Sequence, residues 1–144
     1  CRLAFAGLDR VVVDDREVLR TGPSFTVDTL EELHRQDPGR ALYSLIGSDN
    51  LPLLPTWRHH HRILQLCMVV TYPRQGHPVE AGRLAGLDLS DEERRSLLAH
   101  VLPLPADALA ASDVRERWRA GERSLAELGP EVAQYITTHH LYSR

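Results

Sequence analysis

Lysine is absent from this 144-residue chain, and all 17 basic residues are arginine. A codon bias toward GC-rich triplets accounts for that, but it has a chemical consequence. Every cationic contact to a phosphate must come from a planar, forked guanidinium, a shape suited to bidentate phosphate binding. Cysteine is almost absent too. Cys1 and Cys67 lie far apart, and Cys67 sits in the apolar run Leu66-Cys67-Met68-Val69-Val70, so neither a disulfide framework nor a cysteine metal cage is supported. The natural reading of Cys67 is a buried thiol in a reducing compartment. No apolar stretch approaches the length that spans a bilayer, and no signal-peptide pattern is present, which together lead us to expect a soluble, cytoplasmic protein. With a net charge of −3 the chain lacks the basic excess that would mark a nucleic-acid partner, and it shows no membrane-binding feature. Internal repeats are absent as well.

Four short apolar runs are present, at residues 11–13, 42–46, 68–72 and 101–104. Their apolar residues are consecutive rather than alternating, the pattern of strands buried on both faces. Helical patterns separate them. Val27, Leu30 and Leu33 recur at helical spacing, with Thr26 placed to cap the start and Pro38-Gly39 to close the end. Residues 51–54 and 58–66 give two shorter helical pieces around Pro55-Thr56-Trp57, and Ser90-Asp91-Glu92-Glu93 is a capping box for a helix over 92–100. Strand and helix alternating at this spacing predict an α/β fold with a mostly parallel sheet and crossover helices. Residues 75–89 lack a period and read as a surface excursion.

The carboxyl-terminal part, residues 109–144, reads as all helical within a single domain over 1–144. Ser112 is expected to cap a helix ending at Gly121, Ser124-x-x-Glu127 to cap a turn, and Pro130 to start a last helix through Tyr135. At the other end, residues 3–7 read as the last turn of a helix with a Gly stop. A helix tail without its body predicts residues upstream. The chain without them is expected to leave strand edges unpaired and to be a poor free-standing domain.

Several residues carry chemistry beside a plain structural reading. Phe25-Thr26 opens a helix, where free backbone N–H groups favour an anion, though an apolar residue before a cap would look the same. Gly47-Ser48-Asp49 follows a strand, either as a turn whose Asp caps the next helix or as a ligand-contacting loop. Arg74 follows the third apolar run and is a solvated loop residue or an anion ligand. His59-His60-His61 are consecutive on an expected helix, about 100° apart, so they are not expected to converge on one ion. No metal-binding cluster is expected.

Taken in order, Ser24-Phe25-Thr26-Val27-Asp28-Thr29-Leu30, Ile46-Gly47-Ser48-Asp49 and Trp57 resemble the bacterial nicotinate mononucleotide adenylyltransferases. Their pattern is roughly S-Y-T-x-D-T-L, then G-x-D-x-L, then W. Further along, Leu109-Ala110-Ala111-Ser112-Asp113-Val114-Arg115 is similar to the family's I-S-S-T-x-I-R, and the closing Tyr135, Ile136, Leu141 and Tyr142 to its Y-I-x-x-x-x-L-Y, as packing residues. The resemblance implies a Rossmann-like nucleotidyltransferase fold, lacking its first strand here. The implied reaction transfers AMP from ATP to nicotinate mononucleotide, giving nicotinate adenine dinucleotide and pyrophosphate in NAD biosynthesis.

By the same resemblance, Phe25 and Trp57 sandwich the pyridine ring, and the backbones of Thr26 and Arg58 receive its carboxylate. Asp49, with Gly47 giving close approach, contacts the ribose or groups near the phosphate. Arg74 lies near the mononucleotide phosphate, although Pro73 here precedes the Arg where the family has Arg-Pro. Ser112 and Arg115 hold the ATP phosphates, with Ala110 and Ala111 in place of a Ser pair. Mg²⁺ is implied as a substrate-bound ion. Positioning and charge stabilisation do the work, so no side-chain nucleophile is expected. The family also has an amino-terminal G-x-F-x-P-x-H-x-G-H loop that holds ATP, and no H-x-G-H occurs in these residues. The chain by itself is therefore expected to be inactive. The alternative is a non-catalytic remnant that binds a mononucleotide or docks on a partner.

Overall fold

The computed structural model describes residues 1–143, and they fall into two compact units. The larger unit, Arg16–Ala108, holds the α/β elements. It opens with α1 (Arg16–Leu19) and α2 (Thr26–Gln36), whose Val27 and Leu30 are buried as their helical spacing predicts. The N-cap of α2 is Phe25, in extended conformation and without a side-chain bond, so Thr26 lies inside the helix and does not cap it. Strand β1 (Tyr43–Gly47) is followed by a 3-10 helix (Leu51–Thr56) and α3 (His60–Leu66), which lead to β2 (Met68–Tyr72). The strands pair in parallel, Tyr43 opposite Met68 through Gly47 opposite Tyr72. That is the strand–helix–strand unit expected from the sequence.

Two expected strands do not form. Residues 101–104 reach β2 only through a parallel bridge from Val101 to Thr71, with bonds from Thr71 N–H to His100 O (2.8 Å) and from Leu102 N–H to Thr71 O (2.9 Å). The next rung would need the N–H of residue 73, which is Pro73, and the Leu104 N–H turns back onto Leu102 O (2.8 Å), so the ladder stops there. Residues 11–13 form no strand and pair with no strand among the described residues, and Val12 is 86% exposed. β-branched residues favour a pleat, but a strand needs a neighbour's backbone to bond.

A single apolar cluster organises this unit, joining Val27 and Leu30 of α2 to Ile46, Leu54, Ile63 and Val69. Leu84 and Leu89 belong to it as well, which corrects the surface reading of residues 75–89. A short helix, α4 (Ala81–Leu84), and a turn at Gly86 with φ +79° return both leucines to the core. The capping box forms as expected on α5 (Asp91–Ala99): Glu93 N–H donates to Ser90 Oγ, and Ser90 N–H to Glu93 Oε2. Cys67 is buried in the same cluster, and burial pushes its thiol up to about 11, an unreactive state at neutral pH.

Thr71 is fully buried and its hydroxyl has no hydrogen-bond partner among the described residues. An unsatisfied buried hydroxyl costs about 1–3 kcal/mol. Thr71→Val keeps the shape and removes that cost, so it should stabilise the protein by about 1 kcal/mol, read as a higher urea midpoint at unchanged slope. A lower midpoint would show that the hydroxyl is satisfied.

The smaller unit combines Cys1–Asp15 with the residues from Leu109 onward. Its core is Trp118, Leu125 and Ile136, between α6 (Ala111–Arg119) and α7 (Pro130–Thr138). Pro130 opens α7 and Gly121, at φ +99°, follows the end of α6, both as expected. Ser112 is not the cap of α6; Ala110 holds that position without a side-chain bond, and the Ser112 hydroxyl donates to Asp113 (3.1 Å). Arg117 grips both carboxylate oxygens of Glu122 (2.6 and 2.9 Å) and one of Glu127 (2.7 Å). Of the four closing residues expected to pack, Ile136 is buried, whereas Tyr135, Leu141 and Tyr142 are 47%, 38% and 43% exposed. Residues 3–7 form turns closed by Phe5 N–H to Cys1 O (3.1 Å), with Gly7 at φ +86°.

Candidate functional site

Parallel pairing sets Gly47 and Tyr72, the carboxyl ends of β1 and β2, side by side. In open α/β sheets this edge is where ligands bind. Three backbone features shape it here. Ser48, only 3% exposed, donates its N–H to Tyr72 O (2.9 Å), and its hydroxyl accepts the Arg74 N–H (2.8 Å). The Asn50 N–H then closes the turn on Gly47 O (2.9 Å). The loops after the two strands are thereby tied into one rigid ledge. Sequence reasoning missed the part played by Ser48, although it stands inside the Gly-Ser-Asp motif.

Gly47 has a steric role on this ledge. A Cβ there would collide with Asp49 Oδ1 and stand 3.2 Å from Arg74 Cγ. The missing side chain lets the Asp49 carboxylate fold back over the end of β1. The 3-10 helix that follows is capped by Asn50 without a side-chain bond, so Asp49 does not act as a helix cap. Among the described residues its half-buried carboxylate makes no hydrogen bond or ion pair. A partly desolvated anion left unpaired at a strand end is available to a ligand's hydroxyl or cation.

Arg74 joins the same ledge, beside Gly47, but it is not solitary. Its guanidinium lies 3.5 Å from Asp107, and the two residues also form a backbone bridge. Asp107 has no local signal that could have marked it, because it arrives from a loop distant in sequence.

On the Phe25 side, the half-buried Phe25 and Trp57 both pack at the margin of the apolar cluster. Trp57 follows the 3-10 helix and is anchored by its N–H on Leu54 O (3.0 Å). The exposed Arg58 places its guanidinium 4.7 Å over the Phe25 ring, a cation–π contact that covers an aromatic face. Thr26 begins α2, where its N–H has no carbonyl one turn back within the helix to accept it. Two clefts of this unit, of about 420 and 380 Å³, are lined by Cys67 and, in the second, by Tyr43 and Met68. Those residues mark the amino ends of the strands, so the clefts open opposite the ledge.

Ser112 and Arg115 stand in the first turns of α6 in the smaller unit. Both are exposed, and Arg115 Nε donates to Ala111 O (3.0 Å), the carbonyl one turn back.

Among the described residues no helix is long and apolar enough to cross a membrane. Comparison with models of known protein families matches none. Individual proteins do match. The chain is 39% identical over 142 residues to a probable nicotinate-nucleotide adenylyltransferase of Albidiferax ferrireducens, covering 98% of this chain and 69% of that protein. It is 36% identical over 147 residues to the same-named protein of Dehalococcoides mccartyi, covering 99% and 69%. A Leifsonia xyli relative is 31% identical over 140 residues, covering 97% and 65%. The chain thus spans about two thirds of the length of these relatives. Two structures of Plasmodium falciparum nicotinic acid mononucleotide adenylyltransferase share the fold. The complex with APC has a TM-score of 0.59 at 14% identity, covering 85% of this chain and 60% of that one. The complex with NaAD has 0.58 at 15%, covering 83% and 57%. With a parallel α/β unit, a ledge at its strand ends and relatives matched along nearly its whole length, the chain belongs to the nicotinate-nucleotide adenylyltransferase family.

Proposed function

We propose that these residues form the mononucleotide-binding part of an enzyme that transfers AMP from ATP to nicotinate mononucleotide, within one nucleotidyltransferase domain whose residues 109–144 are the helical part. The observation that carries the reading is the Asp49 carboxylate over Gly47 at the strand ends, without a partner among the described residues. In this proposal Asp49 accepts a hydrogen bond from a ribose hydroxyl. The pyridine ring stacks between Phe25 and Trp57, and Arg58 swings off the Phe25 face to admit it. That contact is worth about 0.5–1 kcal/mol at an exposed site, a small cost against the stacking gained. The N–H groups at Thr26 and Arg58 receive the nicotinate carboxylate. Arg74, held in place by Asp107, faces the phosphate, while Ser112 and Arg115 contact ATP.

The chemistry is displacement at phosphorus. An oxygen of the mononucleotide phosphate bonds the α-phosphorus of ATP as the bond to the β-phosphate bridge breaks and pyrophosphate leaves. The residues' task is to align the two phosphates and to spread their charge. Mg²⁺ would neutralise charge on the ATP phosphates. Asp49 is the only carboxylate among the proposed contacts, which fits an ion carried by the substrate and not by a protein cage. A cytoplasmic setting belongs to the same proposal.

Two measurements test it. The 144 residues alone should bind nicotinate mononucleotide yet release no pyrophosphate from it and ATP, because they contain no H-x-G-H loop. Turnover above background would refute the inactivity, and absence of binding would refute the site. Gly47→Ala should weaken mononucleotide binding at least about tenfold, since the added methyl displaces both Asp49 and Arg74 from the ledge. Unchanged affinity would remove Asp49 from the site. The second reading, a non-catalytic remnant, is favoured by Ala110 and Ala111 in place of the Ser pair. It predicts no pyrophosphate even when an H-x-G-H segment from a relative is joined in front.

A further inference from the structure

The histidine run does not behave as three successive residues of one helix. His59 lies outside α3, in the left-handed region at φ 53°, and the helix starts at His60. The His60 and His61 rings then lie side by side, their centroids 4.0 Å apart. Side chains of a first helical turn lean toward its amino end, and here that brings both rings to Asp88, just ahead of α5. His60 and His61 thus turn toward a common carboxylate, while His59 stands apart from them.

We propose that His60, His61 and Asp88 form a binding site for a divalent transition-metal ion of the Zn²⁺ class. One ligand atom from each lies within 4.8 Å of the others. The Asp88 carboxylate oxygens stand 3.7 Å from His60 Nε2 and 3.7 Å from His61 Nε2. Zn²⁺ holds its ligands at about 2.0–2.1 Å, so neighbouring ligands around a tetrahedral ion lie roughly 3.4 Å apart. The two distances involve different Asp88 oxygens, Oδ2 and Oδ1, so on binding the exposed Asp88 side chain would turn to present one oxygen and the two rings would draw together around the ion.

A second set of contacts supports the assignment independently. His61 Nδ1 lies 2.8 Å from Glu93 Oε1, and Glu93 Oε2 is itself held by the Ser90 N–H (2.7 Å). A carboxylate on one imidazole nitrogen keeps the proton there and leaves the other nitrogen's lone pair free. That is the usual outer-shell arrangement of metal-binding histidines. His60 Nε2 faces the Asp88 carbonyl at 2.8 Å. On ligation its proton moves to Nδ1, and the carbonyl becomes a neighbouring oxygen beside the ion. Two imidazoles and one carboxylate select Zn²⁺ and similar ions over Mg²⁺ or Ca²⁺, which prefer oxygen cages. Such an ion would clamp the start of α3 to the approach to α5.

The test is Zn²⁺ titration of tag-free protein by calorimetry, with thermal melting in parallel. One Zn²⁺ should bind per chain and raise the melting temperature, whereas Mg²⁺ should do neither. Asp88→Asn and His61→Ala alter exposed side chains and should leave the fold intact while weakening Zn²⁺ binding tenfold or more. Glu93→Gln should weaken it by roughly ten- to a hundredfold through the orientation of His61. No Zn²⁺ binding, or binding unchanged in Asp88→Asn and His61→Ala, would overturn the site. These readouts involve no nucleotide, so they stand or fall apart from the proposed adenylyl transfer.

Discussion

An enzyme carrying these residues behind an H-x-G-H loop is expected to use nicotinate mononucleotide far better than the nicotinamide form. The acceptor's carboxylate would meet backbone N–H groups at Thr26, where α2 begins, and at Arg58, which follows the 3-10 helix. A charge-assisted hydrogen bond exceeds a neutral one by about 1–2 kcal/mol, or roughly five- to thirtyfold in affinity per contact. The helix-start dipole adds to the preference for an anion. Steady-state kcat/KM for the two mononucleotides measures it, and equal efficiency would remove the carboxylate site. Trp57→Ala in the same enzyme should raise KM for both by about two- to tenfold, because stacking is worth about 0.5–1.5 kcal/mol and does not depend on the carboxylate. An unchanged KM would take Trp57 out of the ring's environment.

The largest stability effect should come from Leu54→Ala. Leu54 is fully buried in the apolar cluster, and its carbonyl accepts the Trp57 N–H. Emptying such a site costs about 2–5 kcal/mol, through lost apolar transfer and the cavity left behind. For a small protein much of the total stability would go, so the urea midpoint should fall sharply. The neighbouring Leu53 is 52% exposed, and Leu53→Ala should cost within about 0.5 kcal/mol. If the two variants melted alike, the core assignment would be wrong. A Leu54→Ala enzyme that remains folded in the cold should also show a raised KM, since the 3-10 turn that anchors Trp57 rests on this side chain.

Local signals read correctly from the chain were those whose physics is local. The Ser90–Glu93 capping box, the α2 stripe of Val27 and Leu30, the stops at Gly121 and Pro130, and the parallel pair of β1 and β2 all follow from spacing and turn chemistry. Errors gathered where a second segment decides the outcome. Residues 11–13 have strand composition but no ladder partner among the described residues, and residues 101–104 are cut to one bridge because Pro73 of the facing segment offers no N–H. Ser112 and Thr26 look like caps, yet the cap positions lie one or two residues earlier, at Phe25 and Ala110, whose side chains make no cap bond.

The sequence by itself determined the family, the α/β alternation and the identity of most candidate contacts, because motif order and short-range periodicity survive without coordinates. Only the tertiary structure decided how those residues stand to one another. It brought Ser48 to Arg74 and Asp107 to Arg74, left Asp49 without a partner among the described residues, laid Arg58 over Phe25, and gathered His60 and His61 into a cluster with Asp88. Each of these pairings joins segments that backbone spacing leaves independent. They are settled when the cluster around Leu54 and Ile63 packs and fixes which loops meet.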